Sequence, residues 1–197
     1  MPAAGAAPQG KAARILVVGD SLSAEYGLAR GSGWVALLER KLRAESMDAK
    51  VVNASISGDT TAGGRTRLQA LLATHKPTHV VIELGGNDAL RGLPLDVTRR
   101  NLSEMVSAAK AAGAHVLLVG MRMPPNYGRK YGDEFVAVYQ TVAQQQNVPL
   151  VPFLLKDVAD APNADRLFQP DHIHPRAEAH PAILNNVWPA LKALLRP

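Results

Sequence analysis

The sequence contains no cysteine, few aromatic residues and no long apolar run, and each absence narrows what the protein can do. Without cysteine there is no disulfide scaffold, no thiolate-ligated zinc or iron–sulfur site and no thiol nucleophile. Because aromatic residues make up only 5% of the chain, we expect a core built from aliphatic side chains. No apolar stretch approaches the roughly 18–20 residues of a membrane-spanning helix. We therefore expect no stable membrane insertion.

The chain is modestly basic, but its basic residues are scattered along the sequence. The formal net charge is +5, yet no basic run is longer than Arg99-Arg100 and no aromatic residues are interleaved with the basic ones. Nucleic-acid binding usually requires a clustered basic patch, so we predict a solvated surface and no nucleic-acid partner.

Neither G-x-G-x-x-G nor G-x-x-x-x-G-K follows a predicted strand. This absence argues against a phosphate-binding loop for a nucleotide.

The length and composition are those of one globular domain. The chain has 197 residues, of which 47% are hydrophobic and 20% are charged. A chain of this size can bury roughly 70% of its unfolded surface. Residues 1–13 are predicted to be a flexible leader and 14–197 a single domain. The start of the chain has neither the basic region nor the apolar region of a signal peptide.

Short β-branched runs alternate with segments of helical periodicity. We predict strands at 14–18, 50–52, 79–84, 115–119 and 148–151, and helices at 33–45, 63–75, 96–112, 131–147 and 176–195. Asp96 is a candidate N-cap, Gly113 a candidate C-terminal cap, and Pro175 a candidate start for the last helix. Strand–helix alternation predicts an α/β protein with a parallel sheet covered on both faces. Ligands of such sheets bind beyond the carboxyl ends of the strands.

Candidate functional residues follow the first three predicted strands. Ser21 lies two residues after the glycine that ends the first strand, where a hydroxyl can act as a nucleophile. Gly58, after the second strand, can turn its N–H toward an oxyanion. Asn87, after the third, can donate from its side-chain amide to developing negative charge. Taken singly, each of the three also fits a helix cap or an ordinary turn.

The segment Asp171-His172-Ile173-His174-Pro175 offers a base and a carboxylate. The spacing of three between Asp171 and His174 places both side chains on one side of a turn, so the carboxylate can hold one ring nitrogen and leave the other free. A helix-capping Asp beside surface histidines is the alternative. A metal site is another, and its candidate ligands are Asp171, His172, His174, Glu178 and His180. No H-E-x-x-H motif supports a metal site.

In combination, these residues supply a nucleophile, two oxyanion donors, a base and its orienting carboxylate, which acyl transfer requires. The chain resembles the SGNH, or GDSL, hydrolase family over about residues 14–195. The resemblance rests on GDSLS (19–23), VVNASISGDT (51–60), ELGGNDALRG (83–92), PPNYGRKY (124–131) and DHIHP (171–175). It implies a flavodoxin-like three-layer α/β/α sandwich around a five-stranded parallel sheet.

The resemblance also implies a role for each candidate. Ser21 would be the nucleophile and, through its N–H, an oxyanion donor beside Gly58 and Asn87. His174 would be the base and Asp171 its orienting partner, with no cofactor and no metal. Because a free imidazole titrates near ~6.5, we expect activity to rise through weakly acid pH. A departure from close members is His172, where they carry glycine. We expect His174→Ala to be inactive and His172→Ala to be largely active.

An acyl-binding surface is predicted from apolar residues near the strand ends. By resemblance, Met121, Pro124 and Ile173 would contact the substrate. The wider set of apolar candidates is Leu90, Leu93, Met121, Met123, Pro124, Phe153 and Ile173. Flexible methionines suit a groove that accepts several chain lengths. Met121 and Met123 could equally be packing residues after the fourth strand.

The family resemblance implies a serine hydrolase acting on carboxylic esters and acyl thioesters, with arylesterase, thioesterase and lysophospholipase activities. Its expected partners are therefore small ester or thioester substrates with acyl chains. A carbohydrate O-deacetylase on the same scaffold, a metal-dependent hydrolase and a non-catalytic binding module are the alternatives. We expect a monomer. The resemblance implies a periplasmic or secreted location, while the sequence itself leaves a cytoplasmic one open.

Overall fold

A single parallel sheet organises the protein, whose computed structural model describes residues 12–196. The strand order is β2-β1-β3-β4-β5, and every neighbouring pair is parallel. The strands are β1 (Ala13–Gly19), β2 (Ala49–Asn53), β3 (His79–Glu83), β4 (His115–Val119) and β5 (Leu150–Val151). All five carboxyl ends therefore lie along one edge of the sheet, which we call the carboxyl edge.

Helices cover both faces of this sheet. They are α1 (Trp34–Ala44), α2 (Thr61–His75), α3 (Gly86–Leu90), α4 (Leu95–Ala111), α5 (Arg129–Gln146), α6 (Ala164–Leu167) and α7 (His180–Leu195). Helix α1 packs against α7, while α4 packs between α2 and α5. Within residues 12–196, no helix is long and apolar enough to cross a lipid bilayer.

Two apolar cores form because the strands carry aliphatic residues on both faces. Val17 and Val81 face the core that α1 and α7 cover, where Trp34 is fully buried. Their neighbours Val18 and Ile82 face the opposite core, beneath α2, α4 and α5. The prediction of a three-layer α/β/α sandwich with a five-stranded parallel sheet is confirmed.

Several boundaries differ from the predicted ones. Helix α4 has Pro94 rather than Asp96 at its N-cap, so Asp96 lies in the first turn. Gly113 follows the C-cap residue with φ of 80°, as predicted. The last helix begins at His180, with Pro181 in its first turn, whereas Pro175 pairs in a β-bridge with Phe168. Pro175 thus belongs to the preceding loop, because its main chain is held in extended pairing rather than in a helical turn.

The predicted leader covers residues 1–13. Residues 1–11 of it lie outside the described residues, and Ala13 already belongs to β1. The fifth strand comprises only Leu150–Val151, two residues shorter than predicted. Helices α3 and α6 were not predicted, because segments of four or five residues are too short to show helical periodicity.

Candidate active site

Ser21, His174 and Asp171 form a continuous chain of contacts at the carboxyl edge. Ser21 follows β1, and the other two residues lie in the loop between α6 and α7. The Ser21 Oγ and His174 Nε2 atoms are 2.8 Å apart, and His174 Nδ1 is 2.6 Å from Asp171 Oδ2. Residues 153 positions apart in the chain are therefore within hydrogen-bond distance. The structure brings together all three residues of the predicted triad.

The loop that carries His174 is shaped by Asp171 itself. Asp171 Oδ1 accepts hydrogen bonds from the main-chain N–H groups of Ile173 and His174, both at 3.0 Å. His172, between them, adopts a φ of 57°, a left-handed conformation that favours glycine. Slight burial raises the pKa of Asp171, but the hydrogen bonds from His174 and Ile173 outweigh it and lower the pKa to about 2. This carboxylate therefore stays charged at any physiological pH.

His180, the first residue of α7, connects the end of the His174 loop to the start of α1. Its Nδ1 atom accepts the main-chain N–H of Trp34, at the start of α1, over 3.0 Å. Burial lowers the pKa of His180, against the opposing effect of a hydrogen bond to Pro175, so the ring is neutral at neutral pH. His180 is thus a structural residue rather than a companion of His174. Among residues 12–196, no three acidic or histidine side chains are grouped closely enough to hold a metal ion.

Tyr26 packs against the imidazole of His174, a contact that the sequence did not reveal. The two ring centroids are 4.3 Å apart and the planes are inclined by 39°. The main-chain carbonyl of Tyr26 accepts a hydrogen bond from the Gln169 side chain at 2.9 Å. Tyr26 therefore limits the rotation of the imidazole while Gln169 holds the Tyr26 main chain.

Gly58 and Asn87 belong to segments that contact the residues next to Ser21: Ile56, in the loop of Gly58, donates its N–H to the Gly19 carbonyl, and Asn87 bonds to Asp20. Gly58 has a φ of 77°, and its carbonyl accepts a hydrogen bond from Arg91 Nη2 at 2.8 Å. Asn87 lies in α3, and its Nδ2 atom donates to Asp20 Oδ2 at 3.0 Å and to the Asp59 carbonyl at 2.9 Å. The amide that we predicted as an oxyanion donor is thus already hydrogen-bonded twice. To donate to a substrate oxygen it must share or release one of these bonds.

Two buried carboxyl groups lie behind the candidate nucleophile. Glu83 is fully buried at the end of β3, where its Oε2 atom accepts the Ser23 hydroxyl at 2.7 Å and the Asp20 N–H at 3.3 Å. Burial raises the pKa of Glu83 well above its usual range, and the charge of Asp20 raises it further. Burial also raises the pKa of Asp20, to about 6, against the opposing hydrogen bond from Leu22. The sequence predicts no role for Glu83, although this residue ends a largely aliphatic strand.

Another buried carboxylate, Asp88, supports helix α3, which also carries Asn87. Asp88 accepts hydrogen bonds from the hydroxyl of Thr61 and, at 2.8 Å, from its main-chain N–H. Thr98 donates to the same carboxylate at 3.4 Å, and Asn101 donates to the Thr61 hydroxyl at 3.0 Å. Because these residues belong to α2, α3 and α4, the cluster joins the three helices directly behind Asn87.

A cavity of about 380 Å³ opens next to the His174 loop. Six of the seven predicted apolar residues line it, namely Leu90, Met121, Met123, Pro124, Phe153 and Ile173. Leu93 does not line the cavity, since it points to solvent. Met121 and Met123 also pack against the core, so the two interpretations of these methionines are compatible. His172 lies on the cavity wall as well.

A hydroxyl held against an imidazole, which is in turn held by a carboxylate, is the arrangement of serine hydrolases. Together with the parallel α/β/α sandwich, it defines the class of protein: an enzyme that hydrolyses esters with a serine nucleophile. The chain belongs to the GDSL-like Lipase/Acylhydrolase family, whose model matches residues 17–182.

Comparison with individual proteins supports the same assignment. The chain is 53% identical to Esterase TesA of Pseudomonas aeruginosa, over 95% of this chain and 92% of that protein. It is 42% identical to Thioesterase 1/protease 1/lysophospholipase L1 of Escherichia coli, over 92% of this chain and 84% of that protein. A crystal structure of TesA superposes with a TM-score of 0.88, at 53% identity, covering 92% of this chain and 99% of that one.

Proposed function

We propose that Ser21 attacks the carbonyl carbon of an ester or thioester while His174 accepts its proton. The contact of 2.8 Å between Ser21 Oγ and His174 Nε2 carries this proposal. Asp171 holds the opposite nitrogen and, being ionised, stabilises the imidazolium that forms. His174 then protonates the leaving group. Water, deprotonated by the same histidine, cleaves the acyl-enzyme and restores the Ser21 hydroxyl.

The oxyanion of the tetrahedral intermediate would be bound by the N–H groups of Ser21 and Gly58 and by the Asn87 amide. Donors of this kind act because they are already oriented toward the position where charge develops. The hydrogen bond from Arg91 to the Gly58 carbonyl supports this role for Gly58, since it restricts the main chain there. Asn87 would share or release one of its bonds to Asp20 and Asp59 when the oxyanion forms. No cofactor or metal enters these steps.

The proposed substrates are carboxylic esters and acyl thioesters with apolar acyl chains. Two observations support this class. The cavity beside His174 is lined mainly by apolar side chains, with Met121, Pro124 and Ile173 as the proposed acyl contacts. The relatives are named as an esterase and as a thioesterase and lysophospholipase. Aryl esters, acyl-CoA thioesters and lysophospholipids therefore belong to the proposed range.

We further propose that residues 14–197 act as a single domain and as a monomer, in the periplasm or outside the cell. The location rests on the resemblance to the family. The single domain is supported by one sheet that connects all five strands.

A graded panel of p-nitrophenyl esters and acyl-CoA thioesters, assayed with the native protein and with Ser21→Ala, tests the proposal. We expect turnover of both substrate classes by the native protein and almost none by the variant. Full activity of Ser21→Ala would contradict the serine mechanism. Activity on acetylated sugars with none on longer acyl chains would instead show an O-deacetylase.

A further inference from the structure

Large apolar side chains that remain exposed are confined to one side of the molecule. Within residues 12–196 there are five of them, each between 37% and 53% exposed: Tyr26, Ile56, Leu93, Tyr127 and Ile173. We call these five residues the apolar rim. Isolated apolar residues on a protein surface are ordinary, so what requires a reason is their common location.

Every member of the apolar rim lies on a loop at the carboxyl edge. Tyr26 follows β1, Ile56 follows β2, Leu93 lies between α3 and α4 after β3, and Tyr127 follows β4. Ile173 is in the loop of His174 and also lines the cavity. No exposed large apolar residue lies at the opposite edge in the part of the chain that the structure describes. The apolar rim therefore lies along the same edge of the sheet as the proposed acyl site, and Ile173 belongs to both.

Packing does not account for this exposure. Ile56 is held by a main-chain hydrogen bond to the Gly19 carbonyl at 3.0 Å, which leaves its side chain 53% exposed. Apolar groups grouped around a binding site and exposed to water are typical of a surface that meets another apolar phase. A substrate confined to the cavity would cover Ile173 but would leave Ile56 and Tyr127 in water.

Cationic side chains accompany the apolar rim. Arg129 and Lys130 follow Tyr127 at the start of α5, and their side chains are 94% and 90% exposed. Their acidic neighbours Asp133 and Glu134 are 3.8 and 3.9 Å away, and exposed pairs of this kind interact weakly. Arg91, also exposed, lies on the loop of Leu93. Exposed carboxylates, among them Asp160 and Asp165 at the cavity, lie at the same edge. Attraction to an anionic surface would therefore come from Arg91, Arg129 and Lys130 together with the net charge of +5 of the chain.

We propose that the apolar rim and its neighbouring cations dock the enzyme onto an anionic phospholipid surface, with the cavity mouth facing the lipid. The rim side chains would enter the boundary between head groups and acyl chains, while Arg129 and Lys130 bind lipid phosphates. This docking proposal rests on the proposed function: if the cavity binds acyl chains, a docked enzyme could take the acyl chain of a lysophospholipid directly from the lipid surface. Docking involves adsorption to one leaflet and no spanning segment.

The test is sedimentation of the Ser21→Ala protein with vesicles of phosphatidylcholine, with and without phosphatidylglycerol. The Ser21→Ala background prevents hydrolysis during the measurement. We expect binding to the anionic vesicles that weakens as salt is added. Adding Ile56→Ser and Tyr127→Ser should weaken binding by about tenfold or more, since each removes an inserted apolar side chain. Adding Arg129→Gln and Lys130→Gln should weaken it about thirtyfold, from ~1 kcal/mol for each cation near the surface.

A matched control removes two cations at the opposite edge, Arg43→Gln and Lys50→Gln, and should leave binding nearly unchanged. Equal loss in this control would mean that net charge alone drives adsorption, and the proposal would be wrong. Absence of binding to anionic vesicles, or unchanged binding of the Ile56→Ser, Tyr127→Ser protein, would also overturn it.

Two further measurements separate this proposal from others. With Ser21 intact, the Ile56→Ser, Tyr127→Ser protein should turn over a short soluble ester as the native protein does. That result leaves the hydrolase mechanism standing whatever the vesicles show. Light scattering with size exclusion tests whether the apolar rim is instead an interface between two copies. We expect a monomer. A dimer that the same two substitutions convert to monomer would overturn the lipid proposal.

Discussion

Carboxyl groups lie on two sides of the candidate nucleophile, and their surroundings drive their protonation in opposite directions. Asp171 is near the surface and accepts three hydrogen bonds within its own loop, which lower its pKa to about 2. Asp20 and Glu83 are buried beneath Ser21, where burial raises both pKa values. The exposed group is therefore a permanent charge that can orient His174. The buried groups hold the main chain around Ser21 and carry charge only at a cost.

The greatest loss of catalytic rate should follow from removing the negative charge of the exposed carboxylate, Asp171. We expect Asp171→Asn to lower kcat by about 10⁴, because an amide cannot hold the required imidazole tautomer or stabilise the imidazolium. Steady-state hydrolysis of a p-nitrophenyl ester measures it. Asp48→Asn, an exposed residue at the opposite edge, is the matched control and should behave as the native protein. A loss below tenfold for Asp171→Asn would show that His174 does not need this partner.

Asn87 connects the buried carboxyl groups to the proposed chemistry, since its side-chain amide bonds to Asp20 and is also the proposed oxyanion donor. Asn87→Ala should lower kcat by roughly 10²–10³ with little change in KM, because the donor acts mainly in the transition state. Asn185→Ala, an exposed asparagine on α7, serves as the control. If KM rose while kcat stayed unchanged, Asn87 would bind the ground state, and its bonds to Asp20 and Asp59 would be its main role.

Asp88 is a buried carboxylate with a structural role only, because its hydrogen bonds join α2, α3 and α4 and involve none of the proposed catalytic residues. It therefore tests what a buried carboxylate contributes to stability. Asp88→Ala should lower the free energy of unfolding by about 3 kcal/mol, since Thr61 and Thr98 lose a buried acceptor. Urea denaturation followed by circular dichroism measures this change. Asp96→Ala, in the exposed first turn of α4, should lower it by less than about 1 kcal/mol. Equal effects would mean that the buried cluster adds no stability.

The smallest expected effect concerns the pH dependence of stability. The pKa of Asp20 is raised from 3.8 to about 6, so between these values the folded protein holds a proton that the unfolded chain releases. The free energy of unfolding should therefore fall as pH rises through this window, because the folded state holds the proton more tightly than the unfolded chain. Asp20→Asn should flatten that fall in urea titrations from pH 4 to 7. An unchanged slope would show that Asp20 does not titrate there.

The sequence was sufficient to predict the alternating elements, and with them the parallel sheet and its five strands. These predictions succeed because strand periodicity is local. Parallel strands also bring their carboxyl ends to one edge, where Ser21 and His174 are in contact. The start of the last helix was wrong, because the β-bridge of Pro175 is a contact with Phe168 that no local pattern reveals.

Other features of the site depend on contacts between distant segments. The ring contact of Tyr26 with His174, the two hydrogen bonds of the Asn87 amide and the hydrogen bond from Ser23 to Glu83 each join residues more than 25 positions apart. The residue types alone are compatible with many partners. Only the assembled sheet determines that Glu83 lies beneath Ser23 and Asp20 rather than in solvent.

The reactivity of the Ser21 hydroxyl is the most direct test of the claim that Ser21 is a nucleophile activated by His174 and the charged Asp171. The protein would be treated with a p-nitrophenyl phosphonate ester and analysed by intact mass and peptide mapping. We predict a single adduct on Ser21 that is absent in Ser21→Ala and forms far more slowly in Asp171→Asn. An active protein that gains no adduct, or gains it on another residue, would contradict the proposal that Ser21 is the nucleophile.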